Sequence, residues 1–203
     1  MATIVTQVDD YQAVVSRADD VAGPSQGQWD YASYAALPDD GRRSEIIDGV
    51  LYMPPAPNIA HQSASNLFAF YLTMHVQMTG QGWVFSAPID VELAPNVVVQ
   101  PDVVVVLAAN QGIIAPERII GAPDLVVEIA SPGTATYDRS KKLAAYERAG
   151  VHEYWIADPI ARTVEVLLRD GDSYASKGVF AGKATLPSRV APGLPVQARQ
   201  FFA

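Results

Sequence analysis

No cysteine occurs in the 203 residues. Disulfides, thiolate metal ligands and thiol nucleophiles are therefore excluded, and the chain suits a reducing cytosol, the location we expect. No apolar run approaches the roughly 20 residues that a membrane span needs; the best candidate, residues 97–107, is interrupted by Gln100 and Asp102. The N-terminus shows no basic segment followed by an apolar stretch, so no signal peptide is expected. Positive charge is scarce. The 14 Lys and Arg face 22 Asp and Glu, a formal net charge of −8, which argues against nonspecific binding to nucleic acid. It does not argue against a nuclease, whose active-site carboxylates are offset by bound cations.

With 49% hydrophobic and 18% charged residues, the chain has the balance of a globular protein and the length of a single domain. Residues 1–27 are polar, with Asp9-Asp10 and Asp19-Asp20, and read as a partly disordered extension with at most a helical turn near residues 11–16. One domain is expected over residues 28–203. Asp30 can cap a short helix over residues 31–37, before the Asp39-Asp40-Gly41 turn. Asp48-Gly49 suits a two-residue primed turn between strands at 44–47 and 50–53. A helix over residues 59–78 carries His61 in its first turn, and its broad apolar set calls for a covering sheet. Strands follow at 83–93, with an irregularity at Pro88, and at 98–107, then a loop over 108–121. A strand at 125–130, a helix from about 137 to 149 stopped by Gly150, and a strand at 153–157 complete the core. Residues 163–168 and 173–180 read as a hairpin, and the tail as an edge strand. The core order is helix, strand, strand, strand, helix, strand: a mixed α/β sheet flanked by helices, with β-hairpins added at both ends.

Two carboxylates stand where burial is expected. Glu128 lies within Leu-Val-Val-Glu-Ile-Ala, and Asp102 follows Val97-Val98-Val99-Gln100-Pro101 and precedes five more apolar residues, Val103 to Leu107. An ionised carboxylate in such surroundings is costly unless a cation or metal pairs with it. If the two strands are neighbours, Asp102 and Glu128 converge within reach of one divalent ion. Hard oxygen ligands suit Mg²⁺ or Mn²⁺, which activate water and stabilise charge on a phosphate under attack. The bland alternative caps each carboxylate with backbone amides or pairs it with an Arg. Asp138, Lys142 and Tyr146 share one helix face. Lys142 can reach across Ser131-Pro132 towards the carboxylates, or merely form a surface pair with Asp138.

The ordered set Glu45-Ile-Ile-Asp-Gly49, Pro57-Asn-Ile-Ala-His61, Gln100-Pro-Asp102, Val127-Glu128-Ile-Ala-Ser131-Pro132, Asp138…Lys142…Tyr146 and Gly150-Val-His-Glu-Tyr-Trp155-Ile-Ala-Asp-Pro159 resembles the Uma2 family. That family is a restriction-endonuclease-like domain of the PD-(D/E)XK nuclease superfamily. The resemblance covers about residues 29–194 and implies the restriction-endonuclease core, with Asp102 and Glu128 as metal ligands. It also implies a third acidic group at Glu45, an auxiliary role for His61 as ligand, base or phosphate contact, and a homodimer. The superfamily lysine two residues after the Glu is replaced here by Ala130, and Lys142 is the natural substitute. Tyr146 and Trp155 read as core packing. The expectation is thus a Mg²⁺- or Mn²⁺-dependent endonuclease acting on phosphodiester bonds, with DNA ahead of RNA and no membrane partner. The C-terminal hairpin is the expected dimer interface. Two other readings stand beside it: a catalytically idle binding or assembly module, and a hydrolase of small phosphorylated or nucleotide substrates.

Overall fold

The computed structural model of the chain describes residues 14–38 and 40–202. Of the helical turn expected near residues 11–16, residues 11–13 lie outside those described, as does Asp39 of the expected turn. Ser16 instead opens a short strand, β1 (Ser16–Arg17). In chain order there follow α1 (Tyr31–Ala35), β2 (Glu45–Ile47), β3 (Val50–Met53), α2 (Ile59–Leu72) and β4 (Gly82–Ser86). Next come β5 (Val91–Ala94), β6 (Val97–Val99), β7 (Val103–Leu107), β8 (Ile119–Ile120) and β9 (Leu125–Ile129). The chain closes with α3 (Ala135–Tyr137), α4 (Leu143–Ala149), β10 (Glu153–Asp158), β11 (Thr163–Asp170) and β12 (Ser173–Ala181).

Valine and isoleucine runs with little alternation make strands that bury both faces, and two sheets result. The larger core is the sheet β12-β11-β10-β9-β7-β4, in which β9 and β10 are parallel and the other pairs antiparallel. Phe68, Leu72 and Val76, on α2 and its π-helical extension Thr73–Gln77, pack on one face with Val103, Val127 and Trp155. The other face carries Val104, Val126, Tyr154 and Ile156 and meets Tyr146 of α4 and Val97 and Val99 of the second sheet. Within this sheet α2, β4, β7, β9, the α3–α4 helix and β10 reproduce the expected helix–strand–strand–strand–helix–strand order.

The second sheet, β1-β3-β2-β6-β5-β8, differs from the expectation of a simple N-terminal hairpin. Asp48 and Gly49, at φ 53° and 72°, form the expected primed turn between β2 and β3. That hairpin recruits β6, β5 and β8 from within the core order. The expected strand at 83–93 is accordingly two strands, β4 and β5, in different sheets. The expected strand at 98–107 is also two, β6 and β7, one in each sheet. Pro101 is the reason for the second break, because it offers no N–H to a ladder. The tail forms a 3₁₀ turn, Ala198–Phe202, rather than an edge strand; its Phe201 stacks on Phe68 at 4.0 Å between ring centres.

Candidate active site

The crossing from one sheet to the other at Gln100-Pro101-Asp102 builds the site. Antiparallel β7 and β9 pair Val103 with Val127, so the next position sets Asp102 opposite Glu128 on the same face. The strands part there, and the Asp102 side chain takes over: its Oδ2 accepts the Ile129 N–H at 2.8 Å. Gln100 fixes the crossing. Its side-chain amide donates to Tyr34 and Asp90, and its backbone N–H donates to Glu45 Oε1 at 3.0 Å.

All five residues singled out in the sequence come together. Glu45, His61, Asp102, Glu128 and Lys142 line one pocket of about 30 Å³, joined by Arg43, Asp138, the residue 54–57 linker, Ser131 and Thr134. All five are buried. Asn58 caps α2 through the His61 N–H, and the His61 Nε2 lies 3.1 Å from Asp102 Oδ2. Nε2–H donation to Asp102 leaves the buried Nδ1 with no partner among the described residues. The Arg43 guanidinium donates to the Gln100 carbonyl at 2.5 Å and comes within 3.7 Å of Asp102 Oδ1. The amide-capped, arginine-paired carboxylate weighed from sequence alone is therefore also present at Asp102.

The helix expected over residues 137–149 begins at Ala135 and is interrupted by a π-helical turn, Asp138–Lys142, between α3 and α4. The wider turn keeps both Asp138 and Lys142 buried. Lys142 is no surface partner of Asp138. Its ammonium bridges Glu128 Oε1 at 2.8 Å and Glu45 Oε1 at 2.9 Å. Tyr146, read from sequence as packing, donates its hydroxyl to the same Glu128 oxygen at 2.6 Å. Two donors on Oε1 hold the carboxylate in one rotamer, and no described residue donates to Oε2. The signal for Tyr146 was its spacing of four residues from Lys142. Arg43 gave no signal beyond its neighbour Arg42. Trp155 is core, as expected, with its indole N–H donating to Glu153.

Charge is out of balance in this pocket. Four carboxylates (Glu45, Asp102, Glu128, Asp138) meet two permanent cations (Arg43, Lys142), so the carboxylates cannot all ionise at little cost. Burial pushes the Glu128 carboxyl up to about 8 against the pull of Lys142, with Asp102, Asp138 and Glu45 adding to the push. Burial likewise raises Asp138 to about 6, against Lys142 and the Thr134 hydroxyl. Burial also opposes ionisation of Asp102, but the hydrogen bond and charge of His61, with Arg43, outweigh it and hold that group below the usual carboxylate range. Burial works against the Lys142 cation too; Glu128, Glu45 and Asp138 overcome it and keep the ammonium charged. Neighbouring carboxylates with proton affinities pushed apart are the pattern of acid and base division.

A divalent cation fits this donor set. It would take the place of the Glu128 proton beside the ionised Asp102, and Asp102 Oδ1 and Glu128 Oε2 are hard oxygens without a hydrogen-bond donor from the described residues. Among the described residues no three acidic or imidazole side chains are disposed around one point. An ion here would take two protein oxygens, with water or substrate oxygens completing its shell.

The comparisons agree with this architecture. A crystal structure from Anabaena variabilis, described as a putative nuclease, matches with a TM-score of 0.72. The match covers 86% of this chain and 97% of that one at 21% identity, a likeness of fold. No curated protein matches. The Uma2 family model, described as "Putative restriction endonuclease", matches residues 31–199, and a match over that share of the chain means that the protein belongs to the Uma2 family.

Proposed function

We propose that the protein is a metal-dependent endonuclease that hydrolyses phosphodiester bonds, with DNA the preferred substrate. The observation that carries this reading is the position of Asp102 and Glu128 opposite one another where the β7–β9 ladder ends, both lining the same small pocket. These two residues would hold Mg²⁺ or Mn²⁺, which when bound supplies an activated water and stabilises charge on the phosphate. Lys142, fixed between Glu45 and Glu128, keeps a positive charge beside the reacting oxygens and stands in for the lysine absent at Ala130. In this reading Glu45 contributes through Lys142, as the anchor of its ammonium, and less as a direct ligand. His61, oriented by Asp102, is placed to take or give a proton. Arg43 adds a guanidinium that can meet a phosphate oxygen. The single domain over residues 28–203, its use as a homodimer and a cytosolic setting complete the proposal.

The test is cleavage of duplex and single-stranded DNA and RNA with Mg²⁺ or Mn²⁺. Activity on DNA that disappears on chelation, in Asp102→Asn and in Glu128→Gln is expected; no cleavage with either metal refutes the activity. One observation favours a second reading. The pocket, about 30 Å³, has room for only one or two waters, and Lys142 already satisfies two of its carboxylates. An idle binding module would suit so small a site, and the net charge of −8 suits a hydrolase of small phosphorylated substrates better than a long duplex. Competition of mononucleotides against oligonucleotides separates these from the first reading.

A further inference from the structure

Among the described residues, the outer face of the helix that carries His61 gathers the most exposed large hydrophobic side chains. Residues 59–78 contain no Asp, Glu, Lys or Arg. The inner face is accounted for by Phe68, Leu72 and Val76 against the larger sheet. On the outer face Phe70, Met74 and Met78 follow at four-residue steps and are 55%, 52% and 69% exposed. Ile59, at the start of the helix, is 90% exposed. Four of the eight large hydrophobic side chains exposed among the described residues thus belong to this one helix, its extension and Met78, which caps it. A helix apolar all round is a buried helix, and an uncharged apolar stripe on a surface marks a place of contact.

We infer that this stripe is where a second copy of the chain docks, helix against helix about a two-fold axis near Met74. Charge selects the occupant. A phosphate backbone, an anionic membrane or an acidic peptide needs cations, and residues 59–78 have none. A basic partner needs acids, and they have none of those either. Two copies of a chain with net charge −8 repel on most approaches, but this face brings no like charges together. It is also self-complementary, because flexible methionines and an aromatic ring can interdigitate with the same set across an isologous contact. The C-terminal hairpin is the poorer candidate. Its outer strand β12 exposes Val179 as its sole large hydrophobic among the described residues and carries Lys177. Phe70, Met74 and Met78 each leave on the order of 100 Å² open, about 300 Å² per copy against the roughly 800 Å² of a standard interface. The contact is therefore a reversible one that reaches onto the flanks of the helix.

Sedimentation velocity of the full chain from about 1 to about 100 µM tests this, in a range where a contact of that size dissociates. The weight-average mass of the wild type climbs towards twice the chain mass with concentration, and added salt strengthens the dimer by screening repulsion. Met74→Glu and Met74→Lys each sediment as monomers with an unchanged circular dichroism spectrum and melt, since Met74 is half exposed. Their equimolar mixture recovers a heterodimer, which only apposed copies of residue 74 produce. Phe70→Gln, which adds no charge, weakens the dimer several-fold. A wild type that stays monomeric, a Met74→Glu dimer of wild-type strength, a mixture that does not pair, or a dimer loosened by salt overturns the inference. None of these outcomes depends on nuclease activity.

Discussion

Lys142 is the residue on which the pocket's electrostatics turn. Its ammonium is the common partner of Glu45 and Glu128, both fully or nearly fully buried. Removing one member of a buried ionic cluster leaves uncompensated charge, so Lys142→Met should cost about 3–5 kcal/mol. Adding Glu45→Gln should recover part of that loss, because it removes one of the two stranded carboxylates; urea melts of the two variants measure it. Glu128 sets the response to pH. Its carboxyl, ordinarily near 4.5, is pushed up to about 8. Between those values the folded chain keeps a proton that the unfolded chain releases. The stability due to this proton is complete below 4.5 and is lost as pH rises through 8, by up to about 1.4 kcal/mol per pH unit. A divalent ion on the same carboxylate takes the proton's place, so saturating Mg²⁺ should flatten the decline. Urea melts across that window, with Mg²⁺ and with chelator, read both slopes; identical slopes would remove Glu128 as a ligand.

At the scale of elements, the hairpin and the helices hold the acids in place through turns with little tolerance. Gly150 ends α4 at φ 89° with open space where a Cβ would stand, so Gly150→Ala adds backbone strain alone, about 1 kcal/mol. Gly49, at φ 72°, lies against the Gly27 carbonyl, which a Cβ would meet at 2.4 Å. Gly49→Ala must therefore cost clearly more than Gly150→Ala, and it displaces β2 and with it Glu45 and the Lys142 bridge. Thermal melts of the two variants rank them, and equal losses would contradict the packing of Gly49 on Gly27. These turns were legible in the sequence, as was the αβββαβ order, because Asp-Gly, Gly150 and the valine runs act through local sterics and periodicity. The second sheet was not legible. Apolar residues on both sides of Pro101 look alike whether they continue one strand or enter two sheets, and only long-range pairing decides. The π-helical turn at Asp138–Lys142 was hidden for the same reason. A single π-helical turn leaves no periodicity signal of its own in one sequence, yet it sets how Asp138 and Lys142 share the pocket. Asp102 and Glu128 were legible because charge among valines is costly wherever the strands run. Tyr146 was not, since a buried tyrosine packs well with or without a carboxylate at its hydroxyl.

On the scale of the whole molecule, if this acidic chain cleaves DNA as proposed, it must bind it with few contacts to the backbone. Lys142 is buried and committed to Glu45 and Glu128, which leaves Arg43, partly open beside Asp102, and its neighbour Arg42, exposed and paired with Asp40, as candidate phosphate contacts. Two phosphate contacts imply a slope of about −2 in the logarithm of DNA affinity against the logarithm of salt concentration. A broad basic groove gives a slope several times steeper. The remaining adhesion must then come from the divalent ion, so affinity should collapse on chelation more sharply than it falls with salt. Fluorescence anisotropy of a labelled duplex with the wild type, over times short against cleavage, gives the salt slope with the metal present and the metal dependence on adding chelator. A slope near −2 with strong metal dependence matches a nuclease whose grip is centred on its ion. A slope near zero would turn the reading towards a small phosphorylated substrate, which the net charge of −8 admits more easily than a duplex.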